Sequence, residues 1–356
     1  MLCKSRLSFF QRSLKTRETD MAAELPGDVL SEIFTHYLPD FPLCPPAAGL
    51  GSPALLSHVC SKWREFALDF AALWRAIPVS VTTYSLPQAA NILETWLHRS
   101  RSSALSIQLF LYGFIDSTSS FKKFFEMVTA NSHRIEHLDL WLYHHHFTLF
   151  SGPFPVLKSL RYTPPIRDPL YTSAENQGYS SVKIFKGAVT PLFNEAPKLT
   201  EFEITSMWVP PIVFPWKQIT RFVCREGISV KVLYGVLKNL AGSVVYCDVR
   251  FILGEMDQHK PPIRLAKLKT LIARNAIGAV EFLSSLTLPA LRVLDLHECG
   301  VQPGHGSVYH VLVDLVERSG YCAVEDLWVA DPEGAAAQAK YQTAFPFAMR
   351  VRVDRA

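Results

Sequence analysis

A short pattern of apolar residues, repeated along most of the chain, constrains the fold more than any other feature. Apolar side chains occupy positions one, four and six of each copy. From Ile135 onward, successive copies begin 22, 22, 20, 20, 25, 24, 23 and 33 residues apart. This alternation is typical of a short strand with one buried face. A single strand and its return segment cannot bury that face, so successive units must stack. The copies are Ala104-Ile107-Leu109, Ile135-Leu138-Leu140, Leu157-Leu160-Tyr162, Tyr179-Val182-Ile184, Leu199-Phe202-Ile204, Ile219-Phe222-Cys224, Val244-Cys247-Val249, Leu268-Leu271-Ala273, Leu291-Leu294-Leu296 and Val324-Leu327-Val329.

The period falls in the range of leucine-rich repeats, and the pattern resembles them. It predicts a solenoid with a parallel sheet over residues 104–332, followed by a tail or cap over 333–356. Only the copy at Leu291 also has the cysteine that the fuller pattern expects after the strand, Cys299, so the repeat is degenerate. The alternative is a non-repetitive α/β domain that contains many strands.

In a solenoid of this kind, residues between the apolar positions would point to the concave face, the natural binding surface. That face would have mixed polarity. The candidates for display there are Asp139, Glu203, Arg221, Arg225, Asp248, Arg250 and Asp295.

Several segments between the copies have helical spacing and would form return helices. The clearest, residues 306–320, places Val308, Leu312 and Leu315 on one face and ends at Gly320, a residue that favours helix termination. The others are residues 121–134, residues 227–240 and, within a helical connector over 79–103, residues 91–100.

The chain before the repeats has a different pattern, that of short amphipathic helices. Residues 25–38 form a helix that Pro39 ends, and a proline-rich loop follows. A second helix starts at Ser52 and Pro53, and a short third one stops at Pro78. Helices this short bury little surface by themselves, so they must lean on a neighbouring domain or a partner.

Three anchors in this region occur in order: Leu25-Pro26 at the first helix, then Val59-Cys60-Ser61-Lys62-Trp63-Arg64, then Leu73-Trp74. With them, residues 25–78 resemble an F-box, the module that docks substrate receptors onto the Skp adaptor of cullin-RING ubiquitin ligases. The loop between the first two helices is longer than in many family members. An insertion at a loop tip costs little free energy.

The resemblance implies which residues would face the adaptor and which would hold the helices together. Trp63, Leu73 and Trp74 would form the structural core. An ordinary helical hairpin, with all of these residues in its core, is the alternative. The residues implied to bind the adaptor are Leu25, Pro26, Ile33, Phe34, Leu38, Leu55, Val59 and Cys60.

Composition limits the partners and the location. The net charge is +4, and the first twenty residues, within a basic leader over residues 1–24, contribute +3 of it, so bulk charge gives no support to nucleic-acid binding. The leader is either disordered or a mitochondrial presequence, and Met21 is a possible alternative start. Seven cysteines without metal or disulfide spacing indicate reduced thiols in the cytoplasm or nucleus. No apolar run approaches the roughly 20 residues of a membrane helix.

No motif in the sequence predicts catalysis, a cofactor or a metal site. His144, His145 and His146 lack further ligands at suitable spacing and are expected in a solvated loop after a strand. His297 and Cys299 could form a thiol–imidazole pair, but a repeat position explains Cys299 equally. Nucleotide-binding and common hydrolase motifs do not occur.

Together these observations predict an α+β protein, with a small three-helix F-box followed by an α/β leucine-rich-repeat-like solenoid. The expected function is that of a non-catalytic substrate receptor of a cullin-RING ubiquitin ligase. It would bind the Skp-type adaptor, and through it cullin, while the repeats bind an unknown protein target. A repeat-based interaction scaffold that recruits no ligase is the alternative, and an enzyme is a third possibility.

Overall fold

The computed structural model describes residues 25–111, 118–150, 152–164, 190–191, 193, 195–205, 212–252, 261–274, 279–296 and 308–355. The fold is mixed α/β with extensive parallel pairing of strands. Contacts divide the chain into two compact units, one up to Trp141 and one from Leu142. Among the described residues, no helix has the length and apolar character needed to cross a bilayer.

The first unit begins with three short helices and continues into a strand–helix alternation. Pro26 precedes the first helix, which has Asp28 in its first turn, where a carboxylate favours the positive end of the helix dipole. The elements are α1 (Gly27–Tyr37), α2 (Pro53–Leu56), α3 (Ser61–Asp69), a 3-10 turn (Ala71–Trp74), β1 (Ala76–Ser80), α4 (Leu86–Arg99), β2 (Leu105–Phe110), α5 (Thr118–Ala130), a 3-10 turn (Ser132–Arg134) and β3 (Ile135–Trp141).

The predicted second helix is broken in two, and this corrects the sequence prediction. The backbone leaves the helix after Leu56, and a new helix starts at Ser61. Cys60 acts as the N-cap of α3, because its Sγ accepts a hydrogen bond from the backbone N–H of Trp63 at 3.5 Å. The thiol thus does what a serine or aspartate usually does at this position.

Pro78 does not end a helix as predicted. It lies inside β1, which pairs in parallel with β2. Ile77 and Val79, on either side of it, are buried. Proline is tolerated here because β1 is an edge strand of this unit, where one row of backbone N–H groups has no ladder partner.

The long loop between α1 and α2 packs onto the sheet of its own unit. Ser106 of β2 donates a hydrogen bond from its hydroxyl to the carbonyl of Pro42 at 2.6 Å. Cys44 lies 3.9 Å from the Ser106 carbonyl, and Phe41 contacts the ring of His137 on β3. At its other end, Gly51 donates its N–H to the Tyr37 hydroxyl. The loop therefore covers part of the polar face of β2 and β3.

The second unit is built around eight parallel strands whose order in the sheet follows the chain. Helices and irregular segments connect them. The strands of the sheet are β4 (Ser159–Tyr162), β6 (Glu201–Ile204), β8 (Arg221–Ser229), β9 (Tyr246–Ile252), β11 (Thr270–Arg274), β13 (Val293–Leu296), β14 (Asp326–Asp331) and β15 (Arg350–Arg355).

Two-stranded parallel pairs lie outside this sheet, along with the connecting helices. The pairs are β5 (Thr190–Pro191) with β7 (Ile212–Val213), and β10 (Ile263–Arg264) with β12 (Leu286–Thr287). The helices are α6 (Val230–Leu240), α7 (Ala279–Ser284), α8 (Val308–Arg318) and α9 (Gln338–Ala344). The 3-10 turns are His144–Leu149, Trp216–Gln218 and Gly334–Ala337.

One backbone contact recurs at the start of successive strands of this sheet. The carbonyl of the residue just before one strand accepts hydrogen bonds from two consecutive N–H groups at the start of the next strand, at 2.7–3.2 Å. The accepting residues are Lys158, Thr200, Thr220, Val245, Lys269, Arg292 and Glu325.

The repeated sequence pattern predicts these strands well. Nine of the ten copies coincide with a strand in the order expected, and all of their apolar positions except the half-buried Ala104 are buried. The copy at Tyr179-Val182-Ile184 lies outside the described residues, as do the leader, His297 and Cys299. The pattern missed β1 and β15, so residues 350–355 of the predicted tail form a strand of the sheet.

The return helices agree with their predictions in type but not always in bounds. Gly227 to Ser229 extend β8 instead of starting α6, and the Ser229 hydroxyl accepts a hydrogen bond from Val232 N–H. Gly320 follows α8 with a φ of +76°, the left-handed conformation that glycine adopts freely.

Candidate partner-binding surface

The first unit exposes an unusual amount of apolar surface on its short helices. Most large apolar side chains among the described residues are buried, and seven of the ten exposed ones lie between residues 29 and 68. A high density of exposed apolar side chains is typical of a surface that another protein covers. The seven are Val29, Ile33, Leu43, Leu50, Leu55, Val59 and Leu68.

Helix α1 has apolar side chains on two adjoining faces. Leu30 and Phe34 are fully buried, whereas Val29 and Ile33 are 39% and 37% exposed. Each pair is four residues apart and therefore forms one stripe along the helix. One stripe packs in the core of the unit, and the other faces solvent.

Phe34 supports the helix from inside, so its predicted role as an adaptor-facing residue is wrong. Its ring meets the ring of Trp63 edge-on, with centroids 5.1 Å apart, and that of Phe66 at 5.5 Å. No part of the side chain is accessible. These contacts hold α1 against α3, and thereby fix the position of Ile33.

The second exposed pair, Leu55 and Val59, lies where α2 gives way to the turn before α3. Their side chains are 40% and 41% exposed. Ser57 donates its hydroxyl to the Ala54 carbonyl at 2.6 Å, and Arg64 donates its Nε–H to the Ser57 carbonyl at 2.9 Å. Local hydrogen bonds therefore hold this non-helical turn in place. We call Val29, Ile33, Leu55 and Val59 the exposed apolar set.

The remaining residues that the resemblance assigned to the adaptor are less accessible, apart from the exposed Pro26. Leu25, Leu38 and Cys60 are half-buried. The Leu25 carbonyl accepts a hydrogen bond from Lys62 Nζ at 2.9 Å, which ties the start of α1 to α3.

Among the residues expected in the structural core, Leu73 and Trp74 are fully buried and Trp63 is half-buried. Trp74 donates its Nε1–H to the Ala67 carbonyl at 2.7 Å, and its ring packs edge-on against Trp96 of α4 at 5.2 Å. Trp74 therefore links α3 to the strand–helix part of the same unit.

The environment of three of the described cysteines, Cys44, Cys224 and Cys247, does not favour nucleophilic chemistry. Burial raises the pKa of Cys44 and of Cys224 to about 12, and burial also raises the pKa of Cys247. Such thiols stay protonated, and thus unreactive, at neutral pH.

The three consecutive histidines follow the strand as expected, in a 3-10 turn, but His146 is buried and not solvated. Its ring lies 6.0 Å from that of Tyr143. Across the described part of the chain, no group of three potential ligands could hold a metal ion.

The polar face of the eight-stranded sheet carries a ladder of alternating charges across neighbouring strands. Glu203 pairs with Arg161 on one side and Arg225 on the other, at 3.3 and 3.1 Å. Asp248 lies 3.6 Å from Arg225 and 3.5 Å from Arg274. Asp248 is buried beneath these arginines, so its predicted display is wrong.

Two of the other candidates for display, Asp139 and Arg221, have partners on their own or neighbouring strands. Asp139 accepts hydrogen bonds from Gln108 Nε2 and Trp141 Nε1, both at 2.8 Å. Arg221 stacks over the ring of Tyr246 at 3.9 Å. Arg250 is exposed, and Asp295 is half-buried.

Sequence reasoning missed several surface residues for which a signal existed. By spacing alone, Val29 belongs to the apolar stripe of α1. That stripe is wider than one packed neighbour can cover, which indicates that part of it is exposed. Arg274 follows the last apolar residue of its copy, the same position that Arg225 and Arg250 occupy in theirs. For Leu43 and Leu50, by contrast, the proline-rich sequence of the loop contains no pattern that predicts their exposure.

The chain matches no known protein-family model and no curated protein.

Proposed function

We propose that this protein is a non-catalytic substrate receptor of a cullin-RING ubiquitin ligase, which binds a Skp-type adaptor through residues 25–78. The observation that carries the proposal is the exposed apolar set. These residues lie in the segment that resembles an F-box, and three of the four are positions that the resemblance assigns to the adaptor. The parallel sheet of the second unit offers a separate polar face for a target.

In this function the chain supplies position and no reacting group. A target held on the sheet would meet the ligase's charged ubiquitin-conjugating enzyme at a raised effective concentration.

The exposed apolar set can contribute substantially to docking. Burying a valine, leucine or isoleucine side chain completely contributes about 1.5–3 kcal/mol. Since each of the four is about two-fifths exposed, covering them would contribute roughly 2–5 kcal/mol in total. Binding of this strength would add to polar contacts at the rim.

The test is capture of purified Skp adaptor and cullin by Val59→Asp, with Leu68→Asp as the matched control. Both residues are in the same helical module with nearly equal exposure, 41% and 39%. Only Val59 belongs to the predicted adaptor surface. An aspartate at a covered apolar position loses the apolar contact and buries a carboxylate, so we expect capture to fall at least about 100-fold.

Circular dichroism of both variants verifies that the helices remain folded. Capture lost with Val59→Asp and kept with Leu68→Asp would support the proposal. Equal capture by both variants, or no capture by the native chain, would refute it.

The alternative function, an interaction scaffold without a ligase, is favoured by one observation. The first unit joins its short helices to the strands β1 to β3 through a continuous core that includes Trp74 and Trp96. Helices built into a sheet domain in this way can serve as its cap. Capture of adaptor without cullin would favour this reading.

A further inference from the structure

Three arginines stand side by side on the polar face of the eight-stranded sheet. Arg250 of β9 pairs in register with Arg274 of β11, and Arg225 of β8 adjoins them across a bulge. Residues two apart on a strand share a face, so Arg250 lies on the same face as Asp248. Because Asp248 pairs with both Arg225 and Arg274, all three arginines share this face. We call Arg225, Arg250 and Arg274 the arginine row.

The carboxylates that face the arginine row leave one of its members without an ion pair among the described residues. Asp248 pairs with Arg225 and Arg274, Glu203 is shared between Arg225 and Arg161, and Asp295 of β13 lies on the same face beside β11. Glu226, in the bulge next to Arg225, is exposed. Arg250 is exposed and makes no ion pair within the part of the chain that the structure describes.

Donors remain open in the row. The side chain of Arg225 is 48% exposed and that of Arg274 is 32% exposed, although both pair with Asp248. Both guanidinium groups therefore keep surface that a ligand can reach. Guanidinium groups bind carboxylates through paired N–H donors.

The geometry of the row suits a line of anions better than one compact anion. Neighbouring strands are about 4.8 Å apart, so the three residues spread over roughly 10 Å. The central position, where a single anion would contact Arg225 and Arg274 together, is already occupied by the Asp248 carboxylate. The side chains of an extended peptide recur on one face about every 6.6 Å, a spacing that lets successive carboxylates meet different arginines.

We propose that the arginine row binds an acidic peptide segment, in which glutamate or aspartate alternates with other residues. The half-buried Ile272 on the same face would lie beneath an intervening side chain. As the docking site of a degradation target, the row rests on the proposed receptor function. As a binding site for acidic peptide, it does not depend on that function.

The experiment measures fluorescence anisotropy of a labelled peptide that alternates glutamate with alanine, titrated with the full chain. A matched peptide has glutamine in place of glutamate. The test variant is Arg250→Gln, chosen because this side chain is exposed and free of ion pairs within the described residues. The control is Arg264→Gln, which removes an equally exposed arginine from β10, outside the sheet.

We expect the glutamate peptide to bind, and its affinity to fall with rising salt. Arg250→Gln should weaken binding about fivefold, the range of one partly screened ion pair, while Arg264→Gln should leave it unchanged. Equal binding of the glutamine peptide, or equal loss in both variants, would overturn the proposal. Binding of a phosphoserine peptide without binding of the glutamate peptide would also overturn it.

Adaptor capture, measured on the same preparations, separates this inference from the proposed function. Binding of the glutamate peptide without adaptor capture would uphold the arginine row and refute the receptor function. Adaptor capture without peptide binding would do the reverse.

Discussion

Replacing Phe34 by alanine should loosen the whole helical module, although the side chain touches no solvent. Phe34 is fully buried and meets two aromatic rings at 5.1 and 5.5 Å. Truncating a buried phenylalanine to alanine costs about 3–5 kcal/mol, because apolar contacts are lost and a cavity remains. Phe34 is the fully buried aromatic side chain of α1, so we expect this cost to appear as reduced stability of the contact between α1 and α3.

Hydrogen exchange of the backbone amides in α3 measures this loss directly. Exchange through local opening speeds up tenfold for each 1.4 kcal/mol of lost stability. A loss of about 3 kcal/mol therefore predicts exchange roughly 100-fold faster in Phe34→Ala. The control is Ile33→Ala, its neighbour in the chain. Since Ile33 is 37% exposed, its truncation should cost less than about 1 kcal/mol.

The two variants also differ in what they should do to the adaptor. Ile33→Ala should weaken capture while exchange in α3 stays close to that of the native chain. Phe34→Ala should weaken capture only together with faster exchange. If Phe34→Ala abolished capture with native exchange in α3, Phe34 would be a direct contact and the assignment to the core would be refuted.

Two further predictions follow from buried polar atoms. Trp74→Phe removes the donor that satisfies the Ala67 carbonyl, so the module should lose about 1–3 kcal/mol, seen as a lower unfolding temperature of its helices by circular dichroism. An unchanged unfolding temperature would show that water replaces the indole. At pH 8, iodoacetamide should modify neither Cys44 nor Cys224, because burial raises the pKa of each to about 12 and keeps the thiol protonated below that pH. Mass spectrometry of tryptic peptides measures this, and labelling as fast as that of free cysteine would contradict it.

The strands could be predicted because their signal is repeated and local. Apolar positions four and six, such as Leu294 and Leu296, alternate with polar residues and are buried wherever the structure describes them. Ten weak signals at a regular period reinforce one another, which a single copy could not do. The order of strands in the sheet then follows from stacking.

The strands at the ends of the pattern were missed for a different reason. Pro78 suggests a helix end when only its own segment is considered, and an edge strand is the one place in a sheet where it fits. Likewise, Val351 and Val353 alternate as a strand should, but only the small side chain of Ala348 occupies position one of this copy. Both segments become strands because each pairs with a neighbouring strand, β2 or β14, a contact that the local sequence does not show.

The candidate site could be predicted only in part. Helical spacing alone assigned Ile33 and Phe34 to the same side of α1, because the side chains of adjacent residues point in neighbouring directions around a helix. Which of the two is buried depends on where α3 packs, and that depends on the break at Ser57 to Cys60. A cysteine that caps a helix is not a signal that sequence rules weigh.

The contact between the α1–α2 loop and β2 makes the length of that loop a structural matter. Although an insertion at a free loop tip costs little, this loop covers Ser106 and supplies the acceptor for its hydroxyl through the Pro42 carbonyl. Engineering the loop down to a few residues would remove Pro42 and Cys44 and would uncover the Ser106 hydroxyl on β2. A shortened α1–α2 loop therefore requires new residues at position 106 and its neighbours, so the loop and this part of β2 must be redesigned together.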